Sequence, residues 1–470
     1  MFSGSNIHYE MAERVQGSSC GGIGAMHVMV QRLGLVEDID EHLHLLKVHL
    51  PYHESDHVLN FAYNILAGGQ RLEDIELRRQ DEAYMNGLGA QRIPDPTTEG
   101  DFTRRFQVAD IDELQECFNR SRLKVWAAQP EGFLKEAFID VDGTIAGTYG
   151  ECKAGMDISY KGIWGYAPLV ISLANTKEVL NLMNRPGNAS SNSDSVERID
   201  RTMDLVAEVA GTVTVRGDTD FSNTEHLDRW DAQGRKFILG IDAHAKLRSL
   251  ADALAPSAWK PLERLPKYEI LTEPRQKPFR YKEQIVIERG FTNQVLVGED
   301  IAEIQYRPAK CKHAYRVVIV RKNITVKEGE QALFDKVVYF FYITNRKDKA
   351  VKIVSLANGR CDQENVIEQL KNGVNAMRMP VDDLVSNWAY MVMAALAWNL
   401  KAWFGLLMPN RERGIELVKM EFRRFLHAIM LLPCQVVRTG RRIIYRILSY
   451  NSWLKDFFAT WERLLRFADP

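Results

Sequence analysis

The sequence predicts an α/β protein: a mixed five-stranded sheet with flanking helices, a β-rich insertion, and helical regions at both ends. Three observations predict it. Between residues 131 and 250, short β-branched runs alternate with amphipathic stretches of helical period. The composition then shifts at about 251 and again at about 346. Apolar residues make up 46% and aromatics 10% of 470 residues, enough for folded cores and too much chain for one, so about two to four domains are expected.

Residues 1–130 read as helical. HVLNFAYNILAGG, RLEDIELRRQDEAYMNGLG and ADIDELQECFNRSRLKVWAAQ carry apolar residues at three- and four-residue spacing. Pro94 and Pro96 interrupt the chain, and Thr98 with Asp101 predicts an N-capped helix, TEGDFTRRF. Paired with the helix before it, this segment predicts a helix-turn-helix bringing Arg104 and Arg105 to DNA, against a plain helical bundle.

The region 131–250 reads as the first part of the core. EAFIDVDGT, WGYAPLVISLAN and KEVLNLMNRPG are strands, SVERIDRTMDLVAEVAG a helix, GTVTVRGD a strand, NTEHLDRWDAQG a helix and RKFILGIDA a strand. That order is the one of an RNase H-like core. Residues 251–345 predict a mostly β insertion built on EQIVIERGF, AYRVVIVRK and KVVYFFYITN. Residues 346–405 complete the core with the helix CDQENVIEQLKNGVNAMRM and an apolar helix, and 406–470 read as a basic helical tail.

Net charge is −1, but its distribution is uneven: residues 1–130 hold 12 Lys/Arg and 20 Asp/Glu, and residues 401–470 hold 13 and 6. A basic tail on a neutral body fits phosphate contact as well as a solvated helical face. Six cysteines without a C-x-x-C pair suit a reducing compartment, and the first residues lack the basic and apolar runs of a secretory signal. The apolar run Trp388–Trp398 is shorter than the roughly 20 residues that span a bilayer, so it reads as a core helix bracing the one before it, with no membrane partner. Cys311 and His313 form a lone C-x-H of structural character, and no G-x-x-x-x-G-K-[ST] loop points to ATP.

The acids carry the chemistry. Phosphodiester cleavage needs an activated nucleophile and a stabilised leaving oxygen; two Mg²⁺ ions about 4 Å apart, held by carboxylates, supply both. Asp140 and Asp142 share one face of a strand, with Asp142 at its end before Gly143. Asp218 lies just beyond a second strand. Arg360, Glu364 and Lys371 fall on one face of a helix, a carboxylate between two cations. Singly these are surface patterns; their order along an RNase H-like core sets them apart.

Asp142-x-Thr144 followed by Arg216-x-Asp218-x-x-Phe221 resembles the first two catalytic blocks of bacterial cut-and-paste insertion-sequence transposases, DDE group 1 type. Arg360, Glu364 and Lys371 resemble the third. Ile343–Asn345, LAGGQRLEDIE and PDPTTEGDFTRRF also look like this group, and the resemblance spans about residues 30 to 405. It implies a Mg²⁺-dependent DNA nuclease and strand transferase, with Asp142, Asp218 and Glu364 as catalytic acids and ligands of two Mg²⁺ ions, replaceable by Mn²⁺. Arg360 and Lys371 would touch phosphates beside the scissile bond. The implied partners are double-stranded DNA, both terminal inverted repeats and target, and a second copy of the chain, in the cytoplasm on a bacterial nucleoid. One departure is Ala357, where the family usually has Tyr, which bears on DNA handling; Asp140 is an alternative first ligand that the Asp-x-Thr spacing disfavours.

Two other readings compete. FIDVDGTI matches the opening of haloacid-dehalogenase-like phosphatases, with Asp140 as nucleophile and Asp142 as acid. Its position 139 residues into the chain, Ser222 in the later acidic block, and the idle Arg360, Glu364 and Lys371 count against it. The second is a transposase-derived DNA-binding protein that no longer cuts.

Overall fold

The computed structural model describes residues 9, 15–49, 51–222, 224–264, 279–448 and 450–467. Its centre is a nine-stranded sheet. The strands are β1 (Glu136–Gly143), β2 (Leu169–Leu173), β3 (Glu178–Met183), β4 (Thr212–Gly217), β5 (Lys236–Ile241), β6 (Lys260–Pro261), β7 (Thr292–Tyr306), β8 (Tyr315–Glu328) and β9 (Gln331–Thr344), in the order β6-β7-β8-β9-β5-β4-β1-β2-β3. β1, β2 and β3 run antiparallel in turn, and β4 and β5 continue parallel to β1. This is the RNase H-like arrangement, reached because helix Ser195–Ala207 and helix Leu227–Ala232 carry the two parallel crossovers.

The sheet is covered on both faces, and its inner strands show it. All five residues of β2 are buried, as are Val213 to Gly217 of β4, so these strands are covered on both faces, with the buried polar side chains of Thr214 and Arg216 hydrogen-bonded inside the sheet. Helix Ser195–Ala207 turns Ile199, Met203 and Val206 onto the cluster formed with Ile139, Val141 and Val215.

Edge strand β3 is closed by helix Leu384–Leu406. Asp383 caps that helix by accepting from Val385 and Ser386 N–H at 2.9 Å each, and residues 386–405 are buried without a break. Asn399 accepts from the Val179 N–H and donates to its carbonyl, both at 2.9 Å, replacing the missing neighbouring strand. Buried Glu178 accepts from Arg122 Nε (3.0 Å), Trp126 Nε1 (2.9 Å) and Trp403 Nε1 (2.8 Å), a charge fully paired inside the core. Among the described residues no helix is long and apolar enough to cross a membrane.

Several expectations need correction. EQIVIERGF is not a strand: Tyr281–Glu288 is an exposed helix, ended at Gly290 with φ +63°, and the strand β7 follows it. A short apolar run does not distinguish the two states, and among the described residues no strand pairs with it. The tail is not wholly helical either. Cys434–Thr439 and Arg442–Ile447 form a hairpin about Gly440 (φ +56°), joined by Gln16–Ser18 into a three-stranded sheet. Its β-branched pairs, Val436-Val437 and Ile443-Ile444, and the two-residue Gly440-Arg441 turn favour it. In the N-terminal region the expected helix starts earlier, at Pro96, because Asp95 rather than Thr98 is its cap: it accepts from Thr97 and Thr98 N–H at 2.9 and 3.0 Å.

Candidate active site

β1 and β4 pair in parallel register, with Asp140 opposite Arg216. Two residues on, Asp142 and Asp218 therefore leave neighbouring strand ends side by side. Asp218 also caps the turn that follows, its Oδ1 accepting from Asp220 N–H at 3.0 Å. Both line one open polar cleft together with Lys371.

The guanidinium of Arg360 ties the two acids together. Its Nη1 donates to Asp142 Oδ2 at 2.9 Å, and its Nη2 lies 3.9 Å from Asp218 Oδ2. Burial pushes the Asp142 carboxyl up to about 6; Arg360 opposes that rise and Asp218 adds to it. Burial raises Asp218 as well, again against the pull of Arg360. Two carboxylates taken out of water in a polar cleft are a donor set of the kind hard divalent cations take, and added positive charge there relieves the strain of their ionisation.

The helical segment carrying Arg360 is fastened to the sheet along its length. Arg216 Nη1 donates to the Leu356 carbonyl at 2.8 Å, and Gly359 lets it do so: a Cβ there would stand 2.6 Å from that nitrogen. Gln363 Nε2 donates to the carbonyls of Asp140 and Val170 at 2.9 Å each, and Lys371 Nζ to the Ile145 carbonyl at 3.0 Å. Glu364 stands between these tethers, on helix Asp362–Glu368. It is exposed and, among the described residues, makes no side-chain hydrogen bond or ion pair. Ligand oxygens of Asp142, Asp218 and Glu364 do not all come within 4.8 Å of one another.

Asp140 is spent elsewhere. It is 1% exposed and receives Arg216 Nε and Nη2 at 2.6 and 2.7 Å. That leaves no open face for a phosphatase nucleophile. Arg104 and Arg105 lie apart from the cleft, in the link between helices Pro96–Thr103 and Val108–Ala127. Arg104 pairs with Asp382 (2.8 Å) and Asp101 (2.8 Å), and Arg105 donates to the Leu45 carbonyl at 3.4 Å. Ala357 packs, half-buried, on the cluster of Ile238, Val318 and Ile353.

Sequence reasoning missed other cleft residues. Asp242 follows β5 as Asp218 follows β4, a third acid just past a parallel strand that the RKFILGIDA pattern could have flagged. Asp220 accepts from Ser191 Oγ at 2.7 Å. Buried Arg185 donates through Nη1 to the carbonyls of Ser190, Ser191 and Ser193, shaping the cleft wall. No local motif announces that role.

Parallel strand ends carrying acids, with a tethered helix bearing a third beside them, are features of the RNase H-like class. The profile of the transposase DDE domain group 1 family matches residues 11–468, and the chain belongs to that family. Among solved structures it is similar to a piggyBac transposase synaptic complex with hairpin DNA, at a TM-score of 0.39 and 8% identity, over 88% of this chain and 82% of that one. So slight a likeness bears on nothing further. No curated protein matches the chain.

Proposed function

We propose that the chain cuts DNA at the inverted-repeat ends of its element and joins the freed 3′-OH ends to target DNA, using Asp142, Asp218 and Glu364 to hold two Mg²⁺ ions, which Mn²⁺ can replace. One observation carries this: Asp142 and Asp218 end neighbouring parallel strands, open on one cleft and share a single cation, Arg360. When bound, divalent ions activate the attacking oxygen and stabilise the leaving one. The protein's residues do the rest. Asp142 and Asp218 fix the floor of the cleft from rigid strand ends. Lys371, held by the Ile145 carbonyl, and Arg360 neutralise phosphate oxygens along the rim. Glu364 approaches from the tethered helix through an adjustment of the 3₁₀ turn Gly359–Cys361 that precedes it. The substrate is double-stranded DNA, two copies of the chain bridge the element ends, and the work is done in the cytoplasm.

Nicking of a supercoiled plasmid bearing the element ends tests the reading. Asp142→Asn, Asp218→Asn and Glu364→Gln each lower Mg²⁺-dependent nicking by about 10³-fold or more while DNA binding is kept. Substantial nicking by any of the three removes that residue from the ligand set. The outward position of Glu364 favours one second reading, a transposase-derived DNA-binding protein; intact plasmid with wild-type protein and Mg²⁺ would select it.

A further inference from the structure

We propose a second metal centre, remote from the cleft: His42, Glu113 and Cys117, with Asp38 beside them as a fourth donor that turns in, form a site for a zinc-class divalent ion that staples helix Leu35–His42 to helix Val108–Ala127. Each helix presents one i, i+4 pair, Asp38 with His42 and Glu113 with Cys117, so both pairs face the seam between the two helices. Donor atoms of His42, Glu113 and Cys117 lie within 4.8 Å of one another, and Asp38 Oδ1 is 3.4 Å from His42 Nδ1. Tetrahedral zinc with bonds of about 2.0–2.3 Å sets its donors about 3.5 Å apart, within side-chain rotation of what is seen.

The seam already holds a cation. Arg120 Nε donates to both oxygens of Asp38 at 2.8 and 2.9 Å, and its Nη2 to Glu113 at 3.1 Å and to Cys117 Sγ at 3.2 Å. The arginine side chain is 37% exposed and can swing towards water, and His42, at 38%, opens the seam to an incoming ion. Thiolate with imidazole selects zinc-class ions over Mg²⁺, so this centre and the proposed Mg²⁺ cleft take different metals. Binding breaks the Cys117 S–H bond, forms a metal–sulfur bond and gives the proton to solvent; nothing is oxidised.

Co²⁺ titration of the metal-free full chain is the test. A thiolate-to-cobalt charge-transfer band grows in to one equivalent, a signal that carboxylates alone cannot give. Cys117→Ser abolishes it, while replacing exposed Cys361 with Ser leaves it. His42→Ala, at an exposed position that does not threaten folding, weakens Co²⁺ binding by at least about tenfold, since even a ligand's supporting partner is worth that much. It also removes the rise in Tm that Zn²⁺ gives the wild type. No band in the wild type, or one that survives Cys117→Ser, overturns the proposal whether or not the chain cuts DNA.

Discussion

Asp140 and Asp142 stand two residues apart on one strand, and each faces an arginine, yet the two pairs live differently. Asp140 and Arg216 are 1% and 5% exposed and meet through two short bonds. Asp142 meets Arg360 through one, at the mouth of a cleft, with a second carboxylate nearby. The same chemical pair is a structural bolt inside the sheet and an exchangeable contact at its end. Distance from the strand terminus decides which.

The largest effect expected from this contrast is on stability. Asp140→Ala strands the Arg216 charge in the core and lowers the unfolding free energy by about 3–5 kcal/mol, whereas Asp142→Asn, which removes a charge that burial disfavours, does not lower it at neutral pH. Urea unfolding of both variants measures the difference; equal losses would erase the distinction.

A smaller effect comes from pH. Burial pushes the Asp142 carboxyl up to about 6 in the folded chain from the usual 3.8, so between these values the folded state holds a proton that the unfolded state lacks. Stability linked to this group is therefore lost as pH rises through 6 and gained as it falls. From about pH 7 to about pH 4 the wild type should gain on Asp142→Asn by on the order of 2–3 kcal/mol. A difference that stays flat with pH would show that Asp142 is not buried in the way described.

The smallest effect concerns Arg360. Because it occupies the space between the two acids, Arg360→Gln should bind Mg²⁺ about fivefold more tightly in the absence of DNA, roughly 1 kcal/mol. Calorimetry on the DNA-free protein reads this directly, and unchanged or weaker binding would mean that Arg360 does not compete with metal.

Much of the core was legible in the sequence because strand-terminal acids announce themselves: β-formers run up to Asp142 and Asp218 and then stop at glycine or a turn. Helical spacing predicts Arg360, Glu364 and Lys371 on one face of one helix, but the segment runs through a 3₁₀ turn, an α-helix and a π-turn, and Arg360 and Lys371 reach the sheet while Glu364 is exposed. It does not say what those side chains meet, and the contact of Arg360 with Asp142 and its approach to Asp218 come only from the fold. Asp140 was ambiguous for a similar reason. Its partner lies 76 residues away in the chain, and only the parallel register of β1 and β4 brings Arg216 opposite it. The insertion and the tail misled where short apolar runs take their state from neighbours that no local pattern reveals: Tyr281–Glu288 became helix, and Cys434–Ile447 a hairpin.

The long inserted strands are not hung from the core by a linker. β9 is hydrogen-bonded to β5 from Phe341 to Thr344, opposite Ile241 to Ile238, and β5 runs directly into Asp242 at the cleft. An appendage attached by a shared ladder behaves as a leaf spring rather than a hinged door. Load applied near its tip, by the turn at Gly329, would arrive at the acids as torsion of the sheet.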